Sequence, residues 1–445
     1  MKKTANPACY LVVCLALGLA ANSQNSPAGK FNGPGGCASS SCHGSIQPRQ
    51  VTRVAQNEYS IWAGQDKHAR AYQVLSNPVS MRIGRILNLG RPDQSAKCLP
   101  CHALSVPADQ RAETFELVDG VSCESCHGPA SGWLGPHTTH DWPHERSVQL
   151  GMYDTRDLVK RSERCLTCHL GTSEKFVDHE MIAAGHPDLT FELNLFSSVM
   201  PKHWKDESKD GWRGVQEWSV GEAVQLQKSL ERLARRASSP NWPEYGELDC
   251  FACHHSLTKP DDSWRQEEGY AGRTPGVPAW NESRYVVFRH VLRKTNSDAA
   301  AELDSDLTHV KALLGQRNGN PQEIAATANH AAGIAGQIAQ QLNSRAYDQS
   351  TTLALIRAIS EDGDSISAYG QRAAEQAAMS LDSLAVAYKQ NSSSANPQLR
   401  ESIQSLFQEL DNPSAYNAPR FAAQMRKVSS VVSGEPRDQK ASARP

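Results

Sequence analysis

Long apolar runs are nearly absent from this sequence of 445 residues, in which hydrophobic residues make up 39% and aromatic residues 7%. Mean hydropathy is −0.54. Beyond the first 21 residues nothing is long and apolar enough for a membrane span, which needs about 20 apolar residues in a row. Net charge is scarce too. Lys and Arg number 46 against 48 Asp and Glu, a formal charge of −2, so the global basic field of a nucleic-acid binder is excluded. The last 165 residues contain neither Cys nor Trp. Any thiol chemistry therefore lies upstream of about residue 280.

What is present begins with a secretory pattern. Met1 to Ala21 carries Lys2 and Lys3, an apolar stretch from about Ala8 to Leu19, and small Gly18, Ala20 and Ala21 before Asn22. The stretch is short for a bilayer, which favours a cleaved signal over an anchor and a periplasmic or otherwise exported location. Removing it would take away Cys9 and Cys14 and leave ten cysteines in an oxidising compartment.

Those ten fall into five pairs, each followed at once by a histidine. Four read Cys-X-X-Cys-His: Cys98 and Cys101 with His102, Cys123 and Cys126 with His127, Cys165 and Cys168 with His169, Cys250 and Cys253 with His254. This is the attachment signature of c-type haem. Thiols about one helical turn apart can each bond one vinyl group, and the adjacent imidazole reaches the iron as proximal ligand. Cys37 and Cys42, before His43, are separated by four residues, a longer loop that must bulge to serve one porphyrin. A zinc ribbon would pair thiolates without a histidine at one fixed offset, so the pattern predicts haem c at four sites and at the fifth variant.

Five irons need upper ligands, and eleven histidines lie outside the motifs. Full bis-histidine coordination is therefore within reach, which leaves no iron open to substrate and favours outer-sphere electron transfer. His309 and His330 lie in the helical C-terminal part and read as surface or capping residues.

Composition changes near residue 280. Residues 30–280 are rich in Gly and Pro, as in Gly128-Pro129, Gly135-Pro136 and His186-Pro187, and show too few periodic apolar runs for a core of their own. Macrocycles would supply that core. From 281 to 431 the pattern turns helical. Ile324, Ala328, Ala331, Ile334, Ala335, Ile338 and Leu342 follow Asn320-Pro321, and Leu399, Ile403, Leu406 and Leu410 follow Asn396-Pro397, each an N-cap with proline at the first helical position. The fold class expected is mainly α: a signal over 1–21, a loop-rich multihaem cytochrome domain over 30–280, an antiparallel helical bundle over 281–431 and a disordered tail over 432–445.

Three segments resemble the cytochrome c-554 family, relatives of the hydroxylamine oxidoreductase superfamily: Lys67-His68-Ala69-Arg70-Ala71-Tyr72, Ala96-Lys97-Cys98-Leu99-Pro100-Cys101-His102-Ala103, and Gly120-Val121-Ser122-Cys123 through Cys126-His127-Gly128-Pro129-Ala130, with Trp133-Leu134-Gly135-Pro136-His137 behind it. The resemblance implies that His68 and His137 are distal ligands, that His179 and His186 act as in related multihaem chains, and that the haems pack closely. It leaves the fifth distal ligand open among His140, His203, His255 and His290. The longer first motif and the fifth haem depart from the family pattern.

The leading functional expectation is an exported electron carrier passing electrons between a redox protein donor and acceptor, without nucleic acid. The alternatives are a multihaem oxidoreductase acting on a small nitrogen or sulfur compound at one five-coordinate haem, and a docking subunit whose bundle binds a dehydrogenase or a membrane quinol oxidase.

Overall fold

Glycine and proline turns cut the N-terminal part of the chain into short helices, while the C-terminal part runs in long ones. A computed structural model describes residues 29–205, 211–250, 253–254, 277, 279–316, 318–392 and 396–434. The expected signal and nearly all of the expected tail lie outside the described residues. Two isolated bridges, Phe31 with Arg111 and Leu248 with Trp280, are the only strand-like pairings among the described residues. The fold is mainly α.

The short helices are α1 (Glu58–Gln65), α2 (Pro78–Ile86), α3 (Leu99–His102), α4 (Cys123–His127), α5 (His144–Gln149), α6 (Leu158–His169), α7 (His179–Ala183) and α8 (Leu193–Val199). Side-chain oxygens start several of them, each accepting a free amide of the first turn. Asn77 accepts from Ser80, Asp157 from Lys160, Asp178 from Met181, and Glu192 from Asn194 and Leu195. Three of these helices carry attachment motifs: α4 and α6 hold the cysteine pairs Cys123/Cys126 and Cys165/Cys168, and α3 holds Cys101 with Cys98 as its N-cap.

The long helices are α9 (Arg213–Ala237), α10 (Phe288–Thr295), α11 (Ser297–Leu314), α12 (Pro321–Asn343), α13 (Gln349–Glu361), α14 (Gly363–Ala368), α15 (Gln371–Asn391), α16 (Pro397–Gln408) and α17 (Ala418–Ser433). Helices α12 and α16 start at Asn320-Pro321 and Asn396-Pro397, where the asparagine side chains accept from Gln322 and Gln398. His309 and His330 are exposed on the bundle, tied to Glu323 and Asp306.

Helix α9, 25 residues long, differs from the sequence expectation that no apolar core precedes residue 280. It buries Val215, Trp218, Ala223, Leu226, Leu230 and Leu233 and packs against α6, α8, α12 and α15. One continuous core thus runs from Leu158 and Leu166 through α9 to Val432. Buried Gln216, Ser219, Glu222, Gln225 and Ser229 interrupt its apolar stripe, so periodicity alone does not reveal it.

Where α8 crosses α9, Gly221 lets the two backbones approach. A Cβ there would stand 2.6 Å from Leu193 Cβ, and neither atom is the free end of a flexible side chain. Gly221→Ala gains helix propensity of about 1 kcal/mol, but overpacking at such a contact costs about 1–3 kcal/mol. The net expectation is a loss of up to about 2 kcal/mol, read as a lower thermal midpoint with haem content unchanged.

Candidate haem centres

Each attachment motif closes with the same local bond. In α3 the His102 amide donates to Cys98 O at 3.3 Å, and the His254 amide donates to Cys250 O at 2.8 Å. In the longer first motif the His43 amide donates to Cys37 O at 3.2 Å. The two extra residues are taken up in a turn closed by Cys42 N on Ser39 O at 2.9 Å. His43 therefore stands to its first cysteine as the histidines of the shorter motifs stand to theirs.

Four of the five motif histidines face a second imidazole. Ring centroids lie 6.1 Å apart for His43 and His137, 6.2 Å for His68 and His169, 6.4 Å for His102 and His186, and 6.2 Å for His179 and His254. A metal–imidazole bond is about 2 Å, and a ring nitrogen lies about 1.1 Å from its centroid. Two imidazoles sharing one iron therefore stand about 6 Å apart, so the residues fit an axially ligated haem at all four places. Among the described residues, the ring contacts pair His127 with no second histidine.

Nitrogen Nδ1 is the anchored atom in five of these eight histidines. His102 donates through it to Ala71 O at 2.9 Å, His137 to Leu134 O at 2.6 Å, and His186 to Pro187 O at 2.8 Å. A carbonyl only accepts, so Nδ1 carries the proton and the Nε2 lone pair is free for a metal. Carboxylates do the same for His43, through Glu58 at 2.8 Å, and for His68, through Asp66 at 2.9 Å. In contrast His144, His290 and His309 use Nε2 itself, on Asp154, Asp362 and Glu323.

That difference sorts the four candidates for the fifth distal ligand. His290 turns into the bundle toward Asp362, 2.9 Å away, rather than back to the cysteine-bearing part. The His140 side chain is 94% exposed beside Asp141. His255 lies outside the described residues. His203 anchors Nδ1 on Pro201 O at 3.2 Å, packs on Trp204 at 5.1 Å, and its charge acts on His127. An aromatic ring likewise backs His137 (Trp133), His169 (Phe191 and Phe196) and His179 (Tyr245).

Thiols of different motifs also meet. Cys37 is within hydrogen-bonding reach of Cys123, and Cys101 of Cys168. Cys126 and Cys165 lie close enough for their charges to interact. Gly120 helps set this spacing: its φ is +70°, and a Cβ there would stand 3.0 Å from His68 O, in a conformation that favours glycine.

Paired thiols beside an imidazole, with a second imidazole across the gap, define a c-type cytochrome, which holds haem c covalently and works in electron transfer. Residues 37–128 match the family described as Cytochrome c554 and c-prime. No curated protein and no solved structure matches the chain.

Sequence reasoning missed Glu124, inside the Cys123 motif. It is buried, and its Oε1 accepts from Asn32 N at 3.0 Å and Ala130 N at 2.7 Å while Oε2 accepts from Gly33 N at 2.7 Å. One carboxyl thus ties the segment before Cys37 to α4. Glu124→Ala would orphan three buried amides at about 1–3 kcal/mol each. The expected loss is about 3 kcal/mol or more, with faster proteolysis at residues 29–36. Glu124→Gln keeps one acceptor oxygen and should lose about half as much.

Proposed function

We propose that the protein is an exported five-haem electron carrier in which four irons are closed by the pairs His43/His137, His102/His186, His169/His68 and His254/His179. The four imidazole pairs at 6.1–6.4 Å carry this reading. The attachment residues would be Cys37, Cys42, Cys98, Cys101, Cys123, Cys126, Cys165, Cys168, Cys250 and Cys253, with His127 holding the remaining iron from below. The bound haems supply the redox change. The chain's own work is to fix His43, His68, His102, His137 and His186 through Nδ1, to exclude water with Trp133, Phe191 and Phe196, and to keep neighbouring sites close.

The thiol contacts support a linear order. Cys37 neighbours Cys123, Cys126 neighbours Cys165, and Cys168 neighbours Cys101. His186, opposite His102, then follows α7, which begins with His179, opposite His254. Electrons would run between the Cys37 and Cys250 ends through the Cys123, Cys165 and Cys98 sites in turn. The donor and acceptor are redox proteins at those ends, and the secretory pattern of Met1 to Ala21 supports export.

His203 closes the iron on His127 in this reading. It combines an Nδ1 anchor on a backbone carbonyl with an aromatic neighbour, as His137 does. A second reading, an oxidoreductase for a small nitrogen or sulfur compound, draws on the missing ring partner of His127.

Intact mass and electron paramagnetic resonance test both. Five covalent haems are expected, and a Cys37→Ala, Cys42→Ala double variant should lose one; an unchanged haem mass would refute attachment there. The oxidised protein should be low-spin and indifferent to carbon monoxide, with a gas-binding high-spin iron appearing in His203→Ala. Carbon monoxide binding by the unmodified protein would favour the oxidoreductase.

A further inference from the structure

Between α8, α9 and α15 lies a buried polar cluster that the electron path does not use. Glu192, Glu222 and Gln225 are fully buried, Gln376 is 1% exposed, and Arg284 is 8% exposed. Glu192 caps α8, accepting from Asn194 N at 2.8 Å and Leu195 N at 2.7 Å, and takes a further bond from the Ser383 hydroxyl. Glu222 Oε1 accepts from Gln376 Nε2 at 2.6 Å, while its Oε2 has no partner. Gln376 Nε2 also donates to Phe191 O at 3.2 Å, and the Phe191 ring stands 5.4 Å from that of His169. The cluster therefore sits directly behind the aromatic wall of one candidate iron.

Its charges do not balance when both carboxyls are ionised. Arg284 is the cation inside the cluster, bonded to Gln225 Oε1 at 2.9 Å, Gln376 Oε1 at 3.0 Å and Leu189 O at 2.7 Å. Other charges reach it from the rim. Glu217 of α9, held by Arg161 and Arg213, adds negative charge toward Glu192. Asp188, Arg232 and Arg372 act on Arg284. Glu375 of α15 is half-buried near Asp188 and Arg372, and burial raises its own proton affinity. Two carboxylates and one guanidinium in a low-dielectric interior leave an uncompensated negative charge, which one proton removes. The free Oε2 of Glu222 can take that proton while Oε1 keeps its bond from Gln376. Burial, and then the charge of Glu192, hold Glu222 well above the ordinary carboxyl range, and burial lifts Glu192 to about 7.

We propose that the Glu192 and Glu222 pair binds one solvent proton when the haem at Cys165, Cys168 and His169 is reduced, so that the protein moves a proton together with an electron there. This rests on His169 and His68 holding an iron. One electron from the neighbouring site would take ferric iron to ferrous, and one proton from water would form an O–H bond on the coupled carboxyl pair. Oxidation reverses both. Reduction removes one positive charge from the far side of Phe191 and so raises the carboxyl's proton affinity. By linkage, the midpoint potential of that haem falls as pH rises between the affinities of the oxidised and reduced forms, and is level on either side.

The test uses the purified protein with its haems attached. Reductive titration in weakly buffered solution with an indicator dye should show proton uptake, and Glu222→Gln, nearly the same shape, should lose up to one proton per molecule together with the pH dependence of one midpoint. Glu192→Gln should lose part of both. In unmodified protein, reduced-minus-oxidised infrared spectra should gain a protonated-carboxyl carbonyl band. Unchanged proton counts in both variants, or no such band, would overturn the proposal even with five haems present. A missing haem at Cys165 and Cys168, read by mass, would instead defeat the electron-carrier reading beneath it.

Discussion

Much of the cysteine-bearing part depends on a hydrogen bond at the back of five imidazoles, those of His43, His68, His102, His137 and His186. A histidine free to rotate presents either nitrogen, and an iron would then have to impose order on the chain. Here Ala71 O, Leu134 O, Pro187 O, Glu58 and Asp66 each fix one ring, so the orientation is set before any metal bond is counted. Backbone carbonyls do this as well as carboxylates, because either acceptor leaves the lone pair on Nε2. The short helices and glycine turns exist in that sense to place acceptors.

The second constraint is a wall. Phe191 and Phe196 back His169, and behind them stands α9 with its apolar and polar rows interleaved. Buried carboxyls and amides in such a place are costly unless bonded. Most of these are bonded, and the exceptions gather at Glu222, Gln225 and Ser380. Outside this region the bundle is ordinary α-helical packing, with Leu303, Ile338, Leu355, Leu381 and Phe421 in one core.

Some of this was legible in the residues and some was not. The cysteine pairs declare themselves by spacing, and the two Asn-Pro starts of α12 and α16 are local signals that tertiary packing had no reason to override. The juxtaposition of His68 with His169, or of His137 with His43, joins residues about a hundred apart, and no periodicity encodes it; resemblance pointed to His68 and His137, and the folded chain sets each beside a motif histidine. Asp66, two residues before His68, is a signal that could have been read. Glu58 and Glu124 carry none, since a single carboxyl in a loop-rich stretch looks like any other. Helix α9 was hidden because its buried face mixes Gln, Ser and Glu with Leu and Val, which lowers its apolar contrast.

Helix α9 finds its largest partner in α12, far downstream of the cysteines. The ribosome therefore delivers α9 before the helix it packs against most. The first pocket, built largely from residues 30–142, has its acceptors, its Glu124 tie and both its imidazoles at hand as soon as that stretch has been made. The pockets at Cys165 and Cys250 lean on a partition that is finished only when the C-terminal helices arrive, so maturation of this chain is sequential by construction, early at one end and late at the other.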